Sequence, residues 1–240
     1  MALDHALMER ARRTGESVLR VYEWASPVLS LGRNQRARDV YDDAEMTRRG
    51  VGVVRRPTGG RALLHHREIT YSVTAPASAV EPLAATYGRI NALLLHALEL
   101  LGVPATLAIP TARARLPTAT PCFAEPAKGE IVVNGRKLAG SAQWREGGAL
   151  LQHGSIIIDD DQVTIPCLMR EPPAPTLPPA TLREVLGRAP RAAEMAEALF
   201  QSVRRLEDAS ACALSGAEID SLDANSHLAL YRDAAWTWRR

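Results

Sequence analysis

Lysine is almost missing from this chain: of 29 Lys and Arg residues, only Lys128 and Lys137 are lysine. Cysteine is sparse too, and the three thiols, Cys122, Cys167 and Cys212, stand far apart with no Cys-x-x-Cys spacing. That excludes a disulfide framework and a zinc ribbon, and it fits a reducing cytoplasm. No apolar run approaches the roughly 18 residues of a membrane span. The opening MALDHALMERARR has neither the apolar centre nor the small-residue cleavage site of a signal peptide. Aromatics are only 5% of the residues, and no basic run is interleaved with them. With no helix-turn-helix or zinc-finger spacing either, a nucleic-acid footprint is lacking. The expectation is a soluble cytoplasmic protein without membrane or nucleic-acid partners.

What is present is a 240-residue chain, 46% hydrophobic and 23% charged, long enough for one large core or two small ones. Its net charge of +2 is uneven. Residues 1–67 hold 13 Arg against 8 acidic residues, while the remainder holds 16 basic and 19 acidic. Such a basic half either steers an acidic protein partner or is simply a solvated arginine-rich surface.

The periodicity predicts an opening helix in LDHALMERA, then strands in SVLRVYEW and PVLSLG, then a short helix in YDDAEMTRRG with Gly50 as its cap. VGVVRR, PTGG, RALLHH and EITYSVT read as strand, tight loop, strand, strand. Residues 81–101 form the clearest long helix, closed by Gly102 and Pro104. EIVVNGRKLAGSAQ reads as two strands joined at Asn134-Gly135, a strong hairpin signal because both residues tolerate positive φ. A second turn at Gly147-Gly148 leads into the strand ALLQHGSIIID. A proline-rich connector near residues 171–179 precedes two or three helical stretches. Without a regular βαβ alternation, the expected class is α+β, a mixed or antiparallel sheet flanked by helices. Residues 1–240 are expected to form one catalytic domain.

Three features carry chemistry. In RRPTGGRALLHH, two glycines after a proline allow the backbone to approach a ligand, and their N–H groups can cradle an oxygen beside Arg56 and Arg61. An ordinary turn with surface arginines is the plain alternative. Cys122 lies in the polar, proline-punctuated PTATPCFAEPAKGE, whereas Cys167 and Cys212 sit among apolar or small residues and are expected to be structural. Lys137 follows the hairpin turn and precedes Leu138, Ala139, Gly140, Ser141 and Ala142. An ammonium near a thiol stabilises its thiolate, and lowering a thiol from about 8.5 to 7 requires about 2 kcal/mol. The small residues suit a thin acyl group lying along the strand, or merely tight sheet packing. His153 reads as a satisfied core histidine more readily than as a catalyst. His65 and His66 cannot form a metal pair, because neighbours on a strand face opposite sides.

RRPTGGRALLHH with EITYS resembles the signature of the biotin/lipoate protein ligase superfamily. CFAEPAKGEIVVNGRKLAGSAQWREGGALLQHGSI is similar, more narrowly, to the cysteine-dependent octanoyltransferases of lipoate assembly. The resemblance runs from MALDHALM to YRDAAWTWRR. It implies the α+β catalytic domain shared by lipoate ligases, biotin ligases and class II aminoacyl-tRNA synthetases. It also implies transfer of an octanoyl group from acyl carrier protein to one lysine of a lipoyl-domain protein, either a glycine-cleavage H protein or a 2-oxoacid dehydrogenase E2 subunit. Carried over, Cys122 becomes the acyl-thioester nucleophile and Lys137 the group that lowers its pKa. Arg56, Thr58, Gly59, Gly60, Arg61, His65, Gly140, Ser141, Gln143 and His153 become substrate contacts. The chemistry implied is ping-pong thioester exchange, with no metal, ATP or other cofactor.

Two departures stand out. Relatives begin a strand before the MALDHALM helix, and His66 stands where they often carry an acidic residue. Three alternatives remain open: an ATP-dependent lipoate–protein ligase, an amidotransferase moving octanoyl from H protein to other lipoyl domains, and a non-catalytic carrier-protein-binding module.

Overall fold

The computed structural model describes residues 1–78, 80–109, 123, 127 and 129–240. Helix α1 (Ala2–Thr14) is followed by β1 (Val18–Tyr22), β2 (Val28–Leu31), α2 (Asp43–Arg48), β3 (Gly52–Arg55), β4 (Leu63–His65) and β5 (Glu68–Pro76). The long α3 (Leu83–Leu100) leads to β6 (Thr106–Leu107), β7 (Ile131–Val133), β8 (Arg136–Glu146) and β9 (Ala149–Ile157). A 3₁₀ turn (Gln162–Leu168) and the extended proline-rich segment precede α4 (Leu182–Leu186), α5 (Ala192–Leu206), α6 (Gly216–Asp220), α7 (Asn225–Arg232) and α8 (Ala234–Thr237). The C-terminal part thus holds five helices where the sequence predicts two or three, because the later ones are too short for a clear period.

Among the described residues the strands form two sheets. The larger has the order β1-β5-β9-β8-β7-β6 with every pair antiparallel; the smaller, β3-β2-β4, joins one parallel and one antiparallel pair. Both hairpin turns adopt the backbone their residues permit, with φ of 50° and 73° at Asn134-Gly135 and 55° and 79° at Gly147-Gly148. Asp42 caps α2 by accepting from the N–H groups of Ala44 and Glu45. Gly50 takes the left-handed position just past that helix, at φ 66°.

Strand alternation divides the large sheet into two unlike faces. Ile69, Tyr71 and Val73 of β5, with Leu150 and Ile156 of β9, are buried against Leu94 and Leu98 of α3 and Met195 and Leu199 of α5. Truncating such a leucine to alanine costs about 2–5 kcal/mol. The other face carries Thr70 and Ser72 of β5 opposite Ser155 and His153 of β9, which in turn oppose Gly140 and Ala142 of β8. This face is buried as well, and α1 packs across part of it on β5 and β9. The small sheet has its own core of Leu29, Leu31, Met46 and Leu64, closed by Ile165 and Leu168.

That 3₁₀ turn corrects one expectation. With three residues per turn, Ile165 and Leu168 share the inward side, and Cys167 faces solvent. Cys212, in the loop between α5 and α6, is exposed too, so neither thiol fills a core.

Candidate active site

The polar face of the large sheet floors a cavity of about 190 Å³. Thr70, Ser155, Gly140 and Ala142 form its floor; Tyr22, Gly60, Arg61 and Leu63 stand on one side, and Ala127, Glu130 and Lys137 on another. The elements meeting here are the ends of β1 and β4, the glycine-rich loop before β4, and the β7–β8 hairpin.

Lys137 is aimed by a bulge. Ile131 pairs with Ala139 and Val132 with Lys137, so β8 carries one extra residue, Leu138, across that step. The lysine then folds over Gly140: a Cβ placed on Gly140 would lie 2.8 Å from Lys137 Cε and 3.0 Å from Nζ. Nζ is buried, 2.6 Å from Glu130 Oε1 and 4.8 Å from the centre of the Phe123 ring. The second Glu130 oxygen accepts from the Ala127 N–H at 2.7 Å. The lysine is thus a core cation held by a carboxylate rather than a solvated hairpin charge.

Arg56 builds the glycine-rich loop from within. Its Nη1 donates to the Ser30 carbonyl at 2.9 Å, and Nη2 donates to the carbonyls of Gly59 and Arg61, both at 2.8 Å. The guanidinium lies so close to Gly60 that a Cβ there would stand 2.8 Å from Nη2, and Gly60 also adopts a φ of 94°. Glycine at 60 is therefore a requirement of this packing. The preceding Arg55, fully buried, donates to Gly32, Gln35 and Thr237 carbonyls and so ties the loop's start to the C-terminal segment. Burial, with Arg239, Arg240 and Arg56 nearby, pushes its pKa down to about 10.

Two histidines line the cavity with different partners. His153 lies on the floor row, with Nε2 2.6 Å from Thr58 Oγ1 and Nδ1 4.0 Å from Asp4. Burial holds it below the ordinary histidine value, against the opposing pull of Asp4. Asp4 is itself fully buried. Burial favours its neutral form, but the Met1 ammonium, His153 and Arg20 outweigh that and keep its carboxyl well below the usual range. His65 has its Nδ1 2.8 Å from Glu68 Oε1, and the Trp24 ring stacks on it at 4.3 Å. Thr70 Oγ1 donates to the same Glu68 oxygen at 2.5 Å and accepts from Trp24 Nε1 at 2.9 Å.

Arg56, Gly60, Arg61, His65, Lys137, Gly140, Ser141 and His153 all line the cavity. Thr58 supports His153 from behind, and Gly59 contributes a carbonyl to Arg56. Gln143 lies outside the walls, its amide 2.8 Å from that of Gln152. Cys122 and Lys128 lie outside the described residues. His65 is buried and His66 exposed, as strand geometry requires. Among the described residues no three His, Cys, Asp or Glu side chains gather as metal ligands, and no helix is long and apolar enough to cross a membrane. Sequence reasoning passed over Glu130, Glu68 and Trp24. The alternation in EITYSVT already set Glu68 and Thr70 on one face, but only pairing with β9 shows that this face is buried.

The fold is that of a lipoate–protein ligase. A lipoate-protein ligase A bound with ATP superposes with a TM-score of 0.78 at 19% identity, covering 99% of this chain and 92% of that one. The lipoyl protein ligase A/B catalytic domain model matches residues 1–204, and the chain belongs to that family. Among its relatives, the octanoyltransferase LipM of Kyrpidia tusciae is 42% identical over 184 residues, 72% of this chain and 66% of that protein. The octanoyltransferase LipM of Geobacillus kaustophilus is 39% identical over 181 residues, 72% of this chain and 65% of that protein. The match spans just under two thirds of the length of these two relatives.

Proposed function

We propose that this protein is an octanoyltransferase of the cytoplasm. It moves an octanoyl group from acyl carrier protein onto Cys122 as a thioester, and then onto one lysine of a lipoyl-domain acceptor, an H protein or an E2 subunit. The observation that carries this reading is Lys137, a buried ammonium folded over Gly140 at a small-residue cavity, in a chain 42% identical to an octanoyltransferase. A compact cation beside a thioester site favours the thiolate as nucleophile and leaving group. The floor of Gly140, Ala142, Ser155 and Thr70 admits a thin chain alongside the strands.

Intact-protein mass spectrometry after incubation with octanoyl-acyl carrier protein, without ATP, tests the reading. The expected result is one octanoyl adduct, removed by hydroxylamine, absent in Cys122→Ala and present in Cys167→Ala and Cys212→Ala. An adduct from octanoylated H protein alone would make the enzyme an amidotransferase. ATP-dependent modification of a lipoyl domain without any adduct would make it a ligase.

A further inference from the structure

The polar walls of the cavity differ in what they can still do. Lys137, as an ammonium paired with Glu130 at 2.6 Å, has no lone pair to take a proton. Both oxygens of Glu130 are engaged, by Lys137 and by the Ala127 N–H. His153 has one ring nitrogen against Thr58 and the other facing Asp4. Arg56 and Arg61 are guanidinium groups, which do not act as bases. Burial raises the Tyr22 phenol far above its ordinary value, so it stays protonated. His65 is different. Its Nδ1 is fixed by Glu68 at 2.8 Å, whereas its Nε2 is buried without a hydrogen-bond partner among the described residues, in a residue that lines the cavity.

We propose that His65 is the base that takes a proton from the acceptor amine during acyl transfer, with Glu68 holding the imidazole in the tautomer that leaves Nε2 free to accept. The proposal rests on the acyl-transfer reading above. A carboxylate on Nδ1–H presents the Nε2 lone pair outward and stabilises the imidazolium that forms. Glu68 is itself held by Thr70, and Trp24 both donates to Thr70 and stacks on the ring, so the imidazole has little freedom to turn away.

Its position suits the task. Ser155 Oγ lies 3.4 Å from His65 Nδ1, and Ser155 is the cross-strand partner of Gly140, the residue over which Lys137 folds. Directly opposed residues on one sheet face are about 5 Å apart. His65 and Lys137 therefore flank the same small patch of floor. In the step itself, the neutral amine nitrogen of the acceptor attacks the thioester carbonyl carbon and the C–N bond forms. The adduct nitrogen gives one proton to His65 Nε2. As the C–S bond breaks, the sulfur leaves as the thiolate favoured by the Lys137 ammonium, and the imidazolium then gives its proton to solvent, leaving amide and thiolate.

The test separates the two half-reactions. Parent, His65→Gln and Glu68→Gln are acylated with octanoyl-acyl carrier protein, and the acyl-enzyme is then mixed with a lipoyl domain in single turnover between pH 6 and 9. Transfer by His65→Gln is expected to slow by at least about 100-fold, and by a larger factor than its acylation. Transfer by Glu68→Gln should slow by about tenfold, again by a larger factor than its acylation, because the imidazole remains but is no longer held. Transfer by His65→Gln at the parental rate would overturn the proposal, as would equal losses in both half-reactions. If His65→Gln does not fold, the same ratio in Glu68→Gln decides. A parent that forms no acyl-enzyme would remove the acyl-transfer reading itself, and this proposal with it.

Discussion

Glu130 Oε1 lies 2.6 Å from Lys137 Nζ, with the lysine side chain 1% and the glutamate 10% exposed. The pair ties the residue just before β7 to β8 at the cavity wall, so the cation at the site comes with its own carboxylate. Removing one partner of a buried pair leaves the other uncompensated, at a cost of about 3–5 kcal/mol. Glu130→Gln is therefore expected to lower stability by about 3 kcal/mol in urea unfolding at pH 7. A variant as stable as the parent would mean that the ammonium is compensated from elsewhere.

Lys137→Arg keeps the charge but replaces a compact ammonium with a broad planar fork in a space bounded by Phe123, Gly140 and Glu130. The expected outcome is a folded protein whose octanoyl transfer falls by about 100-fold or more, since misplacement by an ångström is enough for such a loss. Near-parental rates would show that charge alone suffices at this position.

Gly140→Ala adds one methyl group under the lysine, 2.8 Å from Cε and 3.5 Å from the Phe123 ring. A flexible side chain can move aside, so the fold should survive while Lys137 is displaced. Transfer is expected to drop by about 10- to 100-fold with a melting temperature close to the parent's. Loss of stability without a kinetic defect would contradict this account.

Gly154→Ala makes the contrasting case. Its Cβ would stand 2.4 Å from the Gly140 carbonyl oxygen and 2.7 Å from the Tyr71 ring, and the first of these is backbone that cannot swing away. Overpacking of this kind costs about 1–3 kcal/mol or more. Chemical denaturation should reveal a large loss of stability, or no soluble protein at all.

Stability should also fall in mild acid. The folded protein resists protonation of His153, chiefly through burial, while the unfolded chain takes up that proton below about pH 6.5. Below that pH the unfolded state therefore binds more protons, and stability decreases as pH drops. His5 acts in the same direction through burial and its stacked neighbour His227. The urea midpoint at pH 5.5 is expected to lie below that at pH 7.5, and His153→Gln should narrow the difference. An unchanged difference would assign the dependence elsewhere.

Much of the architecture was legible in local pattern. Alternation in EITYSVT gave β5, the 3.6-residue period gave α3, and Asn134-Gly135 with Gly147-Gly148 marked the two turns of the hairpins around β8. The same cues misjudged Cys167, because a short 3₁₀ helix exposes a residue flanked by Pro166 and Leu168. At Gly140, on the cavity floor, the side chain of Lys137 is brought over the glycine by a bulge that no local pattern announces.

The amino-acid sequence by itself therefore determined most of the elements, the α+β class and the conspicuous lysine, because these follow from periodicity, turn chemistry and residue type, and the resemblance of its motifs pointed to the family. Which polar groups meet was decided only by tertiary structure. Strand pairing across β5, β9 and β8 sets Thr70, Ser155 and Gly140 in one row. The bulge and the hairpin bring Glu130 onto Lys137, and the turn from β4 to β5 places Glu68 on His65. A carboxylate's partner depends on distances of a few ångströms between segments far apart in the chain, and a charge left in water has a different chemistry from the same charge buried in a pair.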